Sequence, residues 1–202
     1  MIPFGILEVQ SGQLHVTYGS SRETSDFIVD SLEIWWTNKG SETENIKTLA
    51  INLDNGPQCS SVRTQFIKRM KDFANKFQID IHLIYYPPYH SKYNPIERCW
   101  GVLEMHWNGA MLDSFHKVLE WTKTMTWKGI HPVVRLLDDH YEKGITIKKK
   151  LFKKIEQKLL DNNVDQQMAQ HIAHLFVRDP LILYKEKNYQ NNATELGHYE
   201  VR

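Results

Sequence analysis

Two carboxylates, Asp54 and Glu97, stand at points where the surrounding pattern suits metal chemistry. Asp54 follows the apolar run TLAINL (48–53) and opens Asp-Asn-Gly-Pro, a strong chain breaker. The carboxyl end of a buried strand is where open α/β sheets gather their sites, and carboxylate oxygens are hard ligands for Mg2+. A turn-forming Asp ahead of Asn-Gly explains the residue on local grounds as well. Glu97 lies just inside a predicted helix: Asn94 suits the cap, Pro95 the first helical position, and Glu97 can complete a capping box by bonding back to Asn94. The functional alternative makes Glu97 a metal ligand facing the end of the Asp54 strand. Glu104, two helical turns further on, is a weaker candidate of the same kind.

The segment between them mixes aromatics and cations: Tyr85, Tyr86, Tyr89, His90, Lys92, Tyr93 and Arg98. Cations neutralise phosphates and aromatics stack on exposed bases, so Tyr89, His90, Lys92, Tyr93 and Arg98 are candidate DNA contacts. A tyrosine-rich core edge beside a solvated loop is the plainer reading. A second basic run, Lys148 to Lys150 with Lys153 and Lys154, reads as a solvated helix face. Trp107, Trp121 and Trp127 read as packing residues. His106, His116, His131 and His140 have no Cys or His partner at zinc spacing, so no zinc site is expected.

The elements that must position these residues follow from periodicity. Ile2 to Val9 and Leu14 to Tyr18 form a hairpin. Thr24 or Ser25 caps a helix through Phe27, Ile28, Leu32, Trp35 and Trp36, ended by Lys39-Gly40. The strand 48–53 leads to a helix opened by Ser60 or Ser61, with Val62, Phe66, Ile67, Met70, Phe73, Ala74 and Phe77 on its apolar face. Ile79 to Tyr86 is a third strong strand. The Asn94 helix carries Ile96, Cys99, Trp100, Leu103 and Trp107 on one face, another helix spans about 113–125, and 142–160 is basic and helical at its end. This order is α/β, and no internal repeat interrupts it.

Composition sets the bounds. The chain has 202 residues, 41% hydrophobic and 24% charged, enough for one ordinary domain with an appendage. A net charge of +1 gives no global basic signature, so a DNA partner rests on local patches. Two cysteines, Cys59 and Cys99, make no disulfide framework. No apolar run approaches the ~20 residues that span a bilayer, and MIPFGILEVQ has no charged leader. The expected setting is cytoplasmic or nuclear, with no membrane partner.

The wording of the motifs is more specific than their spacing. LDNGPQCSSVRTQF (53–66), YYPPYHSKYNPIERCWGVLEMHWNG (85–109) and MTWKGIHPVV (125–134) closely resemble the ISAzo family of insertion-sequence transposases, and PFGILEV (3–9) and SRETSDFIVDSLEIWW (21–36) fit the same family. The resemblance covers about residues 2–155. It implies a DDE-type, RNase H-like catalytic domain: a mixed sheet flanked by helices, with Asp54 and Glu97 as second and third carboxylates. Two Mg2+ (or Mn2+) ions, DNA partners in the form of transposon ends and target, and a homo-oligomer go with it. In that family the first carboxylate stands on a central strand preceding PFGIL. That strand is expected to be missing, leaving a gap between the hairpin and the Asp54 strand, unpaired backbone groups and an opened core. Asp26 and Asp30 do not match the vacant position. Strand-transfer activity is therefore not expected of the chain alone.

The resemblance divides the chain into residues 1–155, a partial catalytic domain, and 156–202, a helical or irregular tail of foreign origin. Within the tail, AQHIAHLFVRDPLILYKEK (169–187) resembles a piece of eukaryotic glutamate–cysteine ligase, without a complete active site. Two rivals to the transposase stand: a DNA-binding remnant without chemistry, and a fusion fragment carrying the ligase piece.

Overall fold

Five strands come from residues 2–137, and a sixth enters from the far end of the chain. The structure, a computed structural model, describes residues 1–54, 56–86, 94–148, 150, 152–153 and 196–201. In chain order the elements are β1 (Ile2–Glu8), β2 (Leu14–Gly19), α1 (Ser25–Lys39), a short 3-10 turn (Gly40–Thr43), β3 (Thr48–Leu53), α2 (Thr64–Phe77), β4 (Asp80–Tyr85), α3 (Pro95–Trp107), α4 (Phe115–Thr124), β5 (Val133–Leu137) and β6 (Leu196–Val201). They build one mixed sheet in the order β4-β3-β6-β1-β2-β5. β1 is antiparallel to both β2 and β6, while β3 is parallel to both β4 and β6.

Alternation along the strands divides the core in two. Phe4 and Ile6 of β1 and Leu49, Ile51 and Leu53 of β3 pack against α1 and α2, through Phe27, Trp36, Phe66 and Phe73. Leu7 of β1 and Leu14, Val16 and Tyr18 of β2 pack on the other side, against Ile96, Cys99 and Leu103 of α3 and Met125 after α4. The result is an α/β layer structure with helices on both faces of the sheet. Among the described residues no helix is long and apolar enough to cross a membrane.

Helix starts follow their caps. The Thr24 side chain accepts from Phe27 N–H and the Ser114 side chain from Lys117 N–H, fixing α1 and α4. The second helix departs from expectation. Arg63 N–H bonds to Ser60 C=O in a turn, α2 begins only at Thr64 with no side-chain cap, and Val62 is left 85% exposed rather than on the apolar face. Across the sheet face, Arg69 of α2 pairs with Asp26, Asp30 and Glu33 of α1. Tyr141 O–H donates to Asp30 at 2.9 Å, so Asp26 and Asp30 serve the α1–α2 contact. Trp107 and Trp127 pack at the edge of the second core as expected, but Trp121 is 39% exposed.

The gap expected at the sheet centre is occupied. β6 lies between β1 and β3, pairing with Ile6–Glu8 of β1 and Thr48–Asn52 of β3, so these stretches present no open edge there. The end of the tail thus belongs to the sheet.

Candidate active site

β3 ends at Leu53, and Tyr86 N–H bonds back to Leu53 C=O at 2.9 Å, holding the ends of β3 and β4 level. Asp54 is the next residue out. Its Oδ1 accepts from Gly56 N–H at 3.1 Å and from the Cys59 thiol at 3.5 Å. The first bond is the side-chain turn that the local sequence allowed. A Cβ at position 56 would sit 3.2 Å from Asp54 Oδ1, so Gly56 permits the loop to fold this close over the carboxylate. Burial pushes the Cys59 thiol up, the Asp54 charge pushes it further, and its pKa reaches about 12. It remains a neutral donor at physiological pH. We expect iodoacetamide at pH 8 to leave Cys59 unmodified in the native chain and to label it fully in urea, read by peptide mass. Rapid native labelling would show the site to be open.

Glu97 reaches the same region from the other layer. Asn94 is buried, its side chain accepts from Ile96 N–H at 3.3 Å, and Pro95 follows at the first helical position. These fix the start of α3 and hence Glu97 in its first turn. The helix packs against β1 at Gly5. A Cβ there would lie 2.6 Å from Trp100 Cζ2 and 2.9 Å from Ile96 Cδ1. The Trp100 ring is rigid and meets the added Cβ at two atoms, so Gly5→Ala must push Trp100, and α3 with it, outward. We expect a loss of roughly 1–3 kcal/mol in thermal or urea unfolding; no change would mean that α3 does not rest on β1.

Asp54 and Glu97 line one cavity of about 430 Å3, together with Pro3, Phe4, Leu53, Cys59, Trp100 and Leu103. Glu104, the weaker candidate, lines it too, and so does Glu23 from the β2–α1 connection. Glu23 escaped the sequence reading because it sits beside the Thr24 cap, and only the sheet topology carries that loop to the end of β3. Four acidic groups around one cavity make a local negative field that concentrates cations. Two carboxylates with room for water and phosphate suit Mg2+, which keeps several waters and takes one or two protein carboxylates. Among the described residues, no three His, Cys, Asp or Glu side chains are grouped tightly enough to hold one ion. Arg98 is exposed on α3 next to Glu97. Tyr89, His90, Lys92 and Tyr93 lie outside the described residues.

Against this geometry the comparisons with known proteins are direct. The family described as "Rhodopirellula transposase DDE domain" matches residues 1–172. The chain belongs to this transposase family. The match runs past residue 155, into the segment expected to be foreign. Transposases of this family take DNA as their substrate class and divalent metal ions as cofactors. A separate, short similarity also exists. The chain is 48% identical over 48 residues to the glutamate–cysteine ligase catalytic subunits of Mus musculus and Homo sapiens, and 42% identical over 48 residues to the glutamate–cysteine ligase of Dictyostelium discoideum. Those residues are 24% of this transposase-family chain but 8% of each ligase. No solved structure matches the chain.

Proposed function

We propose that the chain is a DDE transposase catalytic module in which Asp54 and Glu97 hold divalent cations for cleavage of DNA, strand transfer not being expected of the chain alone. The observation that carries this reading is their placement: two carboxylates from facing layers on one cavity, at the end of the parallel pair β3–β4. Bound divalent ions supply an activated oxygen nucleophile and stabilise the leaving oxygen of an in-line attack on phosphorus.

The protein's part is positioning. Asp54 is held by Gly56 N–H through Oδ1, and the neutral Cys59 thiol adds a donor without adding a charge. Glu97 is held by a helix whose start is capped by Asn94 and whose body rests on Gly5. The Trp100 and Leu103 side of the cavity is apolar, which limits water around the carboxylates. Arg98, exposed on α3, supplies a cation suited to phosphate, and by residue type alone Tyr89, His90, Lys92 and Tyr93 suit phosphate and unstacked bases.

The test is incubation of the chain with supercoiled plasmid in Mg2+ or Mn2+. We expect nicking that chelation abolishes. Salt-dependent DNA binding with no metal-dependent nicking would support the DNA-binding remnant instead.

A further inference from the structure

The sheet ends on β5. Its inner side pairs with β2, and its outer side carries no strand among the described residues. Ser20 N–H bonds to Leu137 C=O at 3.3 Å, so the backbone groups of Leu137, and by alternation those of Arg135, face β2. The N–H and C=O of Leu136 and Asp138 therefore point outward. α4 lies over the face of the sheet, where the Tyr18 and Thr122 hydroxyls meet at 2.8 Å, rather than along this edge. Edge strands are commonly guarded by lysines, bulges or inward-pointing charges. β5 instead leaves Val133 37% and Leu136 41% exposed. Its one charge, Arg135, has no ion-pair partner among the described residues, and neither have Asp138 and Asp139 just beyond it. The chain stays beside the end of β2 through Asp139, whose C=O accepts from the Ser21 hydroxyl at 2.9 Å.

Such an edge is complementary to itself. A second copy related by a two-fold axis normal to the sheet lies antiparallel, and paired residues then share a face. Centring the pair on Arg135 sets two guanidiniums opposite each other, which is destabilising. Centring it on Leu136 sets Arg135 against Leu137. Centring it on Leu137 sets Arg135 of each copy against Asp139 of the other, and Leu136 and Asp138 exchange backbone bonds across the axis. The 135–139 and 137–137 pairs are then the non-hydrogen-bonded ones, with Cα atoms about 4.5 Å apart and side chains at their closest. We infer that β5 is the interface of a two-fold dimer of this chain, joined edge to edge with Arg135 of each copy paired to Asp139 of the other. The inference is independent of the cation site. The cavity of Asp54 and Glu97 has no β5 residue in its lining, so the dimer leaves it open.

The test is analytical ultracentrifugation of the full chain across micromolar concentrations, without DNA or metal. We expect a reversible monomer–dimer equilibrium. R135E and D139R should each weaken it at least about tenfold, because one reversal turns two attractive pairs into two repulsive ones. An equimolar mixture of R135E and D139R should associate about as tightly as wild type, since Glu at 135 then meets Arg at 139 while the native pair forms on the other side of the axis. Two misfolded variants could not rescue each other in this way. A wild-type chain that stays monomeric overturns the inference, as does a dimer that neither reversal weakens or that mixing fails to restore. Amide hydrogen exchange gives a second reading that needs no variant: exchange at Leu136 and Asp138 should slow as the protein concentration rises. Protection of these amides that is already complete in dilute monomer would show the edge covered by the chain's own residues and would equally overturn the dimer.

Discussion

Asp54→Asn and Glu97→Gln are each expected to lower metal-dependent DNA nicking by at least about a hundredfold, since even outer-shell partners of metal ligands are worth 10–100-fold. The substitutions are chosen to separate chemistry from folding. Asn at 54 keeps an acceptor for Gly56 N–H, so the turn that holds the loop is retained while the charge is lost. Gln at 97 keeps the length of the side chain in the first turn of α3 and gives up a helix-dipole contribution of about 0.3–1 kcal/mol. Melting temperatures should therefore stay close to wild type while nicking disappears. The double variant should lose little more than either single one, because residues acting on one ion are not additive. Plasmid nicking, followed alongside thermal melts of the same preparations, checks this. Wild-type rates in either variant would remove that residue from the site.

Glu8→Gln is expected to produce the largest loss of stability, at a point remote from the chemistry. Glu8 is a buried carboxylate in an apolar strand. Its Oε1 accepts from His15 at 2.9 Å, Lys39 at 2.9 Å and Trp35 Nε1 at 3.2 Å, and its Oε2 from Ser11 at 2.8 Å. One side chain thus ties the hairpin to the end of α1. Burial by itself raises the pKa, but the hydrogen bonds from His15, Lys39 and Ser11 and the Lys39 charge outweigh it and bring the pKa down to about 2. From an ordinary value of 4.5, that depression corresponds to about 3 kcal/mol. Lys39 keeps a second partner, Glu42 at 2.7 Å, which moderates the loss. A fall of about 5–10 °C in melting temperature follows for a domain of this size. The sign with pH is fixed by the depressed value. The stabilisation is complete above pH 4.5 and is lost as pH falls through about 2, below which folded and unfolded chains both carry the protonated acid. Wild type and variant should differ most at neutral pH and converge in acid. Urea unfolding at pH 7, 4.5 and 3 reads this directly; a constant difference across that range would mean that the Glu8 charge is not what stabilises the fold.

How much of this was legible in the sequence depends on the range of the interaction. Thr24, Asn94-Pro95 and the breaker after Leu53 act within a few residues, and the elements they bound appeared nearly as read. The start of α2 was misread because two serines look like caps, whereas the chain makes a turn from Ser60 to Arg63 first. α2 also ends on Gln78 in the left-handed conformation, where glycine would have announced the stop. Glu8 was not singled out within the strand Ile2 to Val9, since its four donors come from residues 3 to 31 positions away. β6 was the least legible of all. Its six residues, LGHYEV, carry no strong strand pattern, and their partners in β1 and β3 are more than 140 residues earlier. A gap at the sheet centre was expected from the family resemblance, and the strand that lies there was not. For the site, Asp54 and Glu97 were legible as chemical candidates and through the family resemblance, but their common cavity and the contribution of Glu23 depend on how β3, α3 and the β2–α1 loop meet.

The account stands most directly on a crystal of the full chain grown with Mn2+ and measured at the manganese absorption edge. It predicts an anomalous peak in the cavity beside Trp100, about 2 Å from a carboxylate oxygen of both Asp54 and Glu97 or bridged between them as a pair of ions. A map with no peak there, or with manganese on one of the two residues while the other carboxylate turns away, contradicts it.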